Sequence, residues 1–463
     1  MNRRQFLQAT AAAAPLIISA RALGRENAPG ANETVNVGII GLGGRAKQLT
    51  DSSFSVPGMR ITAICDCFKP RVDQWMKAMP DDQSWTPYID LREMLEKENL
   101  DGVMIETTTH ARAWCAAHAM AMGMDAYIEK PMALTIAEGR QLVDMARKHG
   151  CVTQVGTQQR SIPLNNWACD LVQQGAIGEL KLVLAPNFVG PLKWPGKEEQ
   201  SLPEGSNEGW WDVWTNQAEM RPYHKELHHG WSTWWDYDGG GRAFGVTGWG
   251  AHSYDQAQRG LGTTETGPVE VLLEEPVRHQ AAGAFIEREI ADTETGVRYY
   301  SMAKSVEGPR ARVRMTYKNG VEMLCHLDGD WGPGLGCIFV GEKGAIEVNR
   351  DQISADPPEL LDVPGRPDAI TGHLEDYGAI AVEENIPHLE NWVECIKTRE
   401  RCHADIEYGQ RSSTVCYLVN IAHALGEVGK TLQWNPRKEQ FRNSDEGNAL
   451  LTRPRRKGYD LPT

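Results

Sequence analysis

From Val35 onward, short apolar runs alternate with stretches in which apolar residues recur every three or four positions. Val35–Ile40, Arg60–Cys65, Gly102–Glu106, Asp125–Glu129 and Val152–Val155 read as strands. Arg45–Ser53, Pro70–Met79, Leu91–Lys97, Arg112–Met122 and Ile136–His149 read as helices between them. The last has a capping box, Thr135 with Glu138, and Gly150 as its stop. Strand–helix alternation at this spacing predicts an α/β fold that begins with a doubly wound parallel Rossmann sheet over residues 35–157. Near Gln154–Arg160 the rhythm changes. A helix over Pro163–Gln174 and a strand over Leu180–Phe188 lead into a stretch, 190–250, rich in Gly, Pro and Trp. Beyond it Arg310–Tyr317, Val321–Leu327, Cys337–Gly341 and Ala345–Val348 read as strands of antiparallel character, and Pro387–Thr398 and Arg411–Leu425 as helices. Residues 158–463 are thus expected to form a second α/β domain around a mainly antiparallel sheet.

Ahead of this pattern lies the chain's one long apolar stretch. Arg3-Arg4 is followed by Phe6-Leu7, an apolar run over Ala9–Ala20, and a small-x-small cleavage site at Ala20-Arg21-Ala22. The run falls short of the roughly 20 residues that a comfortable membrane span needs. Residues 1–22 resemble a twin-arginine signal peptide, followed by a polar linker over 23–34. The resemblance implies passage through the twin-arginine export machinery, a periplasmic or otherwise exported location, and no membrane partner once the signal is removed. Retention of the uncleaved signal as a tether stays open.

With 41% apolar and 24% charged residues, the 463-residue chain has the composition of a soluble globular protein of two domains. Its net charge of −14, without a dense Lys/Arg block, argues against nucleic acid, whose affinity is dominated by phosphate contacts. Ten scattered cysteines show neither C-x-x-C nor zinc-like clustering with histidine. No metal is expected, and most of the cysteines read as small buried apolar residues.

Chemistry enters at the end of the first strand. Gly41-Leu42-Gly43-Gly44-Arg45-Ala46 matches G-x-G-x-x-A. Gly41 permits the tight turn, Gly43 lets the backbone approach a pyrophosphate, and Ala46 allows close helix–strand packing. Asp66 closes the next strand, where a carboxylate takes the adenosine ribose diol and repels a 2′-phosphate, favouring NAD over NADP. The fifth strand ends in Glu129-Lys130-Pro131, which points Lys130 towards the nicotinamide side. Pro131 restricts Lys130 and is a candidate for a cis bond. Taken alone, the lysine is equally a surface residue after a strand.

Together these residues resemble the Gfo/Idh/MocA oxidoreductase family. Thr107-Thr108-Thr109-His110 is similar to its T-P-x-H segment, with Thr108 in place of proline. Gly239–Asp255 is similar to its G-G-G…D-x-G-x-H-x-x-D segment. The resemblance implies an open second sheet used for substrate binding and homo-oligomer contacts, and Lys130 with His252 as the catalytic pair. It also places Gly44, Arg45, Thr107 and Glu129 beside the cofactor, and His110 either lining the nicotinamide region or packed in the core. Gly248 stands where the family's dehydrogenases carry aspartate, four residues before the histidine, with Asp236 or Asp238 as possible substitutes, and Arg112 where many relatives carry histidine. Lacking that aspartate, His252 is expected to titrate near its ordinary value of about 6.5.

Residues 194–249 hold eight of the fifteen tryptophans, a platform for the apolar face of a sugar or a seal between loop and sheet. Arg160, Tyr223, His224, Trp235 and Asp236 are the candidate substrate contacts. The expected function is NAD-dependent oxidation or reduction of a small carbohydrate-like substrate: a sugar, polyol or glycoside hydroxyl. The alternatives are an NAD-dependent glycoside hydrolase or lyase with no net redox change, and a non-catalytic sugar-binding protein. An exported enzyme meets little free NAD, so the cofactor is expected to be tightly bound.

Overall fold

Six parallel strands, β1 (Val35–Ile40), β2 (Met59–Cys65), β3 (Thr86–Tyr88), β4 (Gly102–Ile105), β5 (Asp125–Ile128) and β6 (Thr153–Val155), lie in the order β3-β2-β1-β4-β5-β6. The structure is a computed structural model that describes residues 34–281, 289–291, 298–300, 307–327, 334–372, 374 and 376–462. The signal-like segment and nearly all of the linker lie outside the described residues. The strand order is that of a doubly wound Rossmann sheet. Helices α1 (Gly44–Ser53), α2 (Thr109–Ala121) and α3 (Ile136–His149) make crossover connections. In α3 the Thr135 hydroxyl accepts from the Glu138 amide at 3.2 Å, while Glu138 accepts from Leu134 rather than from the cap itself. Gly150, at φ 67°, ends the helix.

The second domain carries a nine-stranded sheet. Its order is Ile353–Asp356, Gly344–Val348, Cys337–Gly341, Leu180–Pro186, Glu322–Leu327, Val313–Thr316, Glu270–Leu273, Thr431–Asn435 and Gln440–Phe441. All neighbours are antiparallel except Leu180–Pro186 with Glu322–Leu327. Helix α4 (Trp249–Gly260) packs on one face: Tyr254 and Ala257 share a core with Val183, Val313 and Phe339.

The end of the chain returns to the first domain. Helix α5 (Ile386–Thr398) buries Leu389, Trp392 and Val393 against Val37, Met104 and Tyr127 of the Rossmann sheet. Helix α6 (Ile406–Leu425) begins five residues before the sequence pattern suggests. Asp405 caps it, accepting from the Glu407 amide at 3.0 Å, and buried Ser412, Ser413 and Thr414 interrupt the apolar period. None of the ten cysteines is paired in a disulfide, and nine are buried. Among the described residues no helix is long and apolar enough to cross a membrane.

Candidate active site

The C-terminal ends of β1, β2, β4 and β5 open onto a cleft of about 440 Å3, where ligands of parallel α/β sheets bind. Its floor is the turn from β1 to α1. Gly41 sits at φ 91°, and a Cβ there would lie 2.7 Å from the Thr107 amide nitrogen, so only glycine fits. A Cβ on Gly44 would meet nothing within 4 Å, and one on Gly43 only the Arg71 guanidinium at 3.9 Å. The backbone is bare on the cleft side with the N-terminus of α1 behind it, an arrangement that suits a pyrophosphate. Ala46 is fully buried and packs α1 on the sheet, away from the ligand.

Asp66 stands at the cleft's edge. One carboxylate oxygen accepts from the Leu42 amide and the other from the Phe68 amide, both at 2.9 Å. The two bonds fix the carboxylate and leave lone pairs on both oxygens for a ribose diol. These residues fit a dinucleotide. Asp66→Ala is expected to weaken NAD binding about tenfold or more and to relax discrimination against NADP. Calorimetric titration with both cofactors checks this, and unchanged NAD affinity would remove Asp66 from the site.

Past β5, Arg45 ties the glycine turn to the Glu129-Lys130-Pro131 loop. Its Nε donates to Glu129 at 3.1 Å and its Nη2 to Asn385 at 2.9 Å. The Lys130–Pro131 peptide is cis. Lys130 Nζ donates to the Gly248 carbonyl at 2.9 Å. Burial lowers the Lys130 pKa to about 8, opposed by the charges of Glu129 and Asp238.

His252, in the first turn of α4, lines the same cleft, and its Nδ1 has no partner. Burial first, and then the Lys130 charge, hold its pKa well below the usual histidine range. The expectation of ordinary titration is corrected: this imidazole is neutral at pH 7.

The loop geometry accounts for the missing aspartate. A Cβ on Gly248 would lie 1.8 Å from the Arg242 carbonyl oxygen, so no side chain fits unless the loop moves. The carboxylate acting on Lys130 from this segment is Asp238, fully buried, which accepts from Thr109 Oγ1 at 2.5 Å and from the Thr247 hydroxyl. Arg112 donates to the carbonyls of Pro131 and Thr107, each at 2.5 Å, fastening the lysine loop to the loop after β4.

Residues 35–157 match the Gfo/Idh/MocA oxidoreductase family with an NAD-binding Rossmann fold, and residues 169–299 and 376–461 match its C-terminal alpha/beta domain. The chain belongs to the Gfo/Idh/MocA oxidoreductase family. Its cofactor is NAD.

Glycosyl hydrolase family 109 protein 1 of Shewanella sp. (strain MR-4) is 30% identical over 180 residues, 36% of this chain and 37% of that protein. The chain thus matches little more than a third of the length of that curated relative. Among solved structures, an oxidoreductase from Agrobacterium radiobacter in complex with NAD+, L-tartaric acid and magnesium superposes with a TM-score of 0.57 at 14% identity. It covers 86% of this chain and 98% of its own. The WlbA dehydrogenase from Bordetella pertussis, in complex with NADH and UDP-GlcNAcA, gives 0.56 at 14% identity, over 87% and 98%. These likenesses show the shared fold.

Within this Gfo/Idh/MocA chain, Gly41, Gly43, Gly44, Arg45, Asp66, Thr107, Glu129, Lys130 and His252 all line the one cleft. His110 does not. It is fully buried, donates from Nε2 to the Trp214 carbonyl at 2.7 Å, and meets Trp214 and Tyr237 edge-on. Burial lowers its pKa to about 3, so its role is packing.

The five candidate substrate contacts also lie off the cleft. Arg160 is buried and pairs through Nε with both Asp255 oxygens at 2.8 Å. Tyr223 packs in an aromatic cluster with Trp210 and Trp211. His224 caps the helix Lys225–Gly230, accepting from the Glu226 amide at 3.2 Å. Trp235 faces a different cavity beneath the Arg453 guanidinium, 4.4 Å from its ring centroid. Asp236 pairs with Arg221 at 2.7 Å.

The cleft wall comes instead from Trp214, Trp231, Trp249, His228, Arg242 and Arg350. Five of these six belong to the tryptophan-rich stretch, so the segment was legible but not the individual residues. Glu106 was missed altogether. It lines the cleft as the last residue of a predicted strand, and neither carboxyl oxygen has a partner. Burial, and then the charge of Glu129, raise its pKa to about 8.

Proposed function

We propose that this protein is an NAD-dependent oxidoreductase acting on the hydroxyl of a sugar, polyol or glycoside. The observation that carries the reading is that one cleft holds the glycine turn, Asp66, the half-buried Lys130 and a neutral His252. When bound, the nicotinamide accepts or donates the hydride. Lys130, as a cation aimed by the Gly248 carbonyl, stabilises a developing alkoxide. His252, held neutral by a pKa well below the usual histidine range, accepts the hydroxyl proton on its imidazole. Trp231 and Trp249 supply flat apolar walls for a sugar ring.

The pH dependence tests this division of labour. Cationic Lys130 is lost as pH rises through about 8, whereas His252 stays neutral down to well below 6.5. The expected kcat/KM is therefore flat across neutrality and falls above about 8, and Lys130→Arg moves that fall to higher pH. A rate that climbs through the same range would make Lys130 the base.

The glycosyl hydrolase family 109 name of the Shewanella relative favours a second reading, cleavage of a glycoside with no net redox change. Following NADH absorbance and product masses on a panel of glycosides and free sugars separates the two. Net NADH release supports the dehydrogenase, and cleaved product without it the hydrolase or lyase.

Two further parts of the reading concern place and assembly. Arg3-Arg4 with the apolar run after it supports twin-arginine export, which a fused reporter tests through replacement of both arginines by lysine. A row of half-buried residues, Ile338, Leu184, Leu324, Arg314 and Leu272, crosses the outer face of the large sheet and supports homo-oligomer contact there. Light scattering of the purified protein tests it.

A further inference from the structure

A second cavity, of about 430 Å3, adjoins the cleft and shares Gly41, Asp66, Thr107 and Trp214 with it. It lies beyond Asp66, on the β2–β3 side of the sheet, away from the β5 end that carries Lys130. Three parts of the chain wall it. Cys67, Ile89 and Trp114 come from the Rossmann domain, Asp212 and Val213 from the helix Trp210–Thr215, and Lys457 to Tyr459 from the C-terminal segment. A dinucleotide with its pyrophosphate on Gly43–Gly44 and its ribose on Asp66 directs its adenine into this space.

We infer that the C-terminal segment, latched to the helix Trp210–Thr215 through Asp212, closes this cavity over the adenine end of NAD and slows cofactor release. The inference rests on the NAD-binding reading of the cleft. The latch is a two-sided clamp on one carboxylate. Tyr459 Oη donates to one Asp212 oxygen at 2.5 Å, and Arg456 Nη1 donates to the other at 2.6 Å. Arg456 also donates to the carbonyls of Asp212 at 2.8 Å and Asn216 at 2.7 Å.

Upstream the segment is held independently. The Arg455 guanidinium bonds Glu138 at 2.6 Å, and Arg453 lies over Trp235. Arg455 Nε also donates to the Tyr459 carbonyl at 2.8 Å, so breaking the bonds to the Asp212 carboxylate loosens the last turn while that bond tethers it. Tyr459, itself buried, places its ring 5.6 Å from that of Trp114, across the cavity wall. With its outer wall built from a segment far away in sequence, the cavity gives the adenine a wider exit when this turn lifts.

The test uses full-length protein loaded with NADH and chased with excess NAD, with release followed by fluorescence. Tyr459→Ala and Asp212→Asn are each expected to speed release about tenfold or more. Because both break one latch, the double variant is expected to release little faster than either. Tyr459→Phe, which keeps the ring and loses the bond, falls between. AMP, a probe of the adenine end alone, is expected to bind more weakly to Tyr459→Ala, and nicotinamide mononucleotide equally well. Stoichiometric NADH binding shows that each variant is folded. Release rates and AMP affinity equal to those of the unsubstituted protein would overturn the inference while leaving the NAD reading intact. An unsubstituted protein that binds no NADH would overturn both.

Discussion

Lys130→Met is expected to lower turnover by about a hundred- to thousand-fold, the usual weight of a placed charge that stabilises a developing oxyanion. NAD affinity is expected to change far less, because the glycine turn and Asp66 hold the cofactor at the other end of the cleft. His252→Ala is expected to fall in the same range. The double variant is expected to lose much less than the product of the two, since both side chains act on the same hydroxyl. Steady-state kinetics beside calorimetric NAD titration separates these effects. Wild-type turnover in Lys130→Met would remove the lysine from the chemistry and promote the sugar-binding reading.

Arg160→Met is expected to cost about 3–5 kcal/mol of folding stability, because it strands a buried carboxylate. Asp255 is fully enclosed, and its remaining partner is the Ser412 hydroxyl at 2.5 Å. Burial already raises its pKa, and the Arg160 charge opposes that shift. Arg160→Met with Asp255→Leu together is expected to recover much of the loss, since an apolar pair of similar volume often replaces a buried ion pair at little cost. Urea unfolding of the single and double variants checks this. A stable Arg160→Met with a raised KM would return Arg160 to the substrate site.

The contrast between Lys130 and Arg160 shows what the sequence could convey. The Rossmann half was legible because each glycine, the capping box and Asp66 answer a local backbone demand that sequence spacing expresses directly. Edge strand β3 was not, being three residues with a proline at its centre. The start of α6 was hidden because its first turn, residues 406–410, carries Gly409, a poor helix former, and only the Asp405 cap marks it. His110 and Arg160 carry side chains suited to a site, yet tertiary packing turns one under Trp214 and the other onto Asp255. Gly248 was visible as a departure, but its cause, the Arg242 carbonyl pressed against it, is a contact between loop residues that no spacing reveals.

Transfer of a labelled hydride tests the central claim most directly. A panel of sugars and glycosides deuterated at their carbinol carbons is mixed with NAD-loaded protein, and the cofactor is then recovered and weighed by mass spectrometry. Deuterium is expected on the nicotinamide for the true substrate, lasting in a dehydrogenase and transient in a redox-neutral glycosidase, and arriving at least about a hundred-fold more slowly in Lys130→Met. A substrate that is turned over by the unsubstituted protein without ever placing deuterium on the nicotinamide would contradict it.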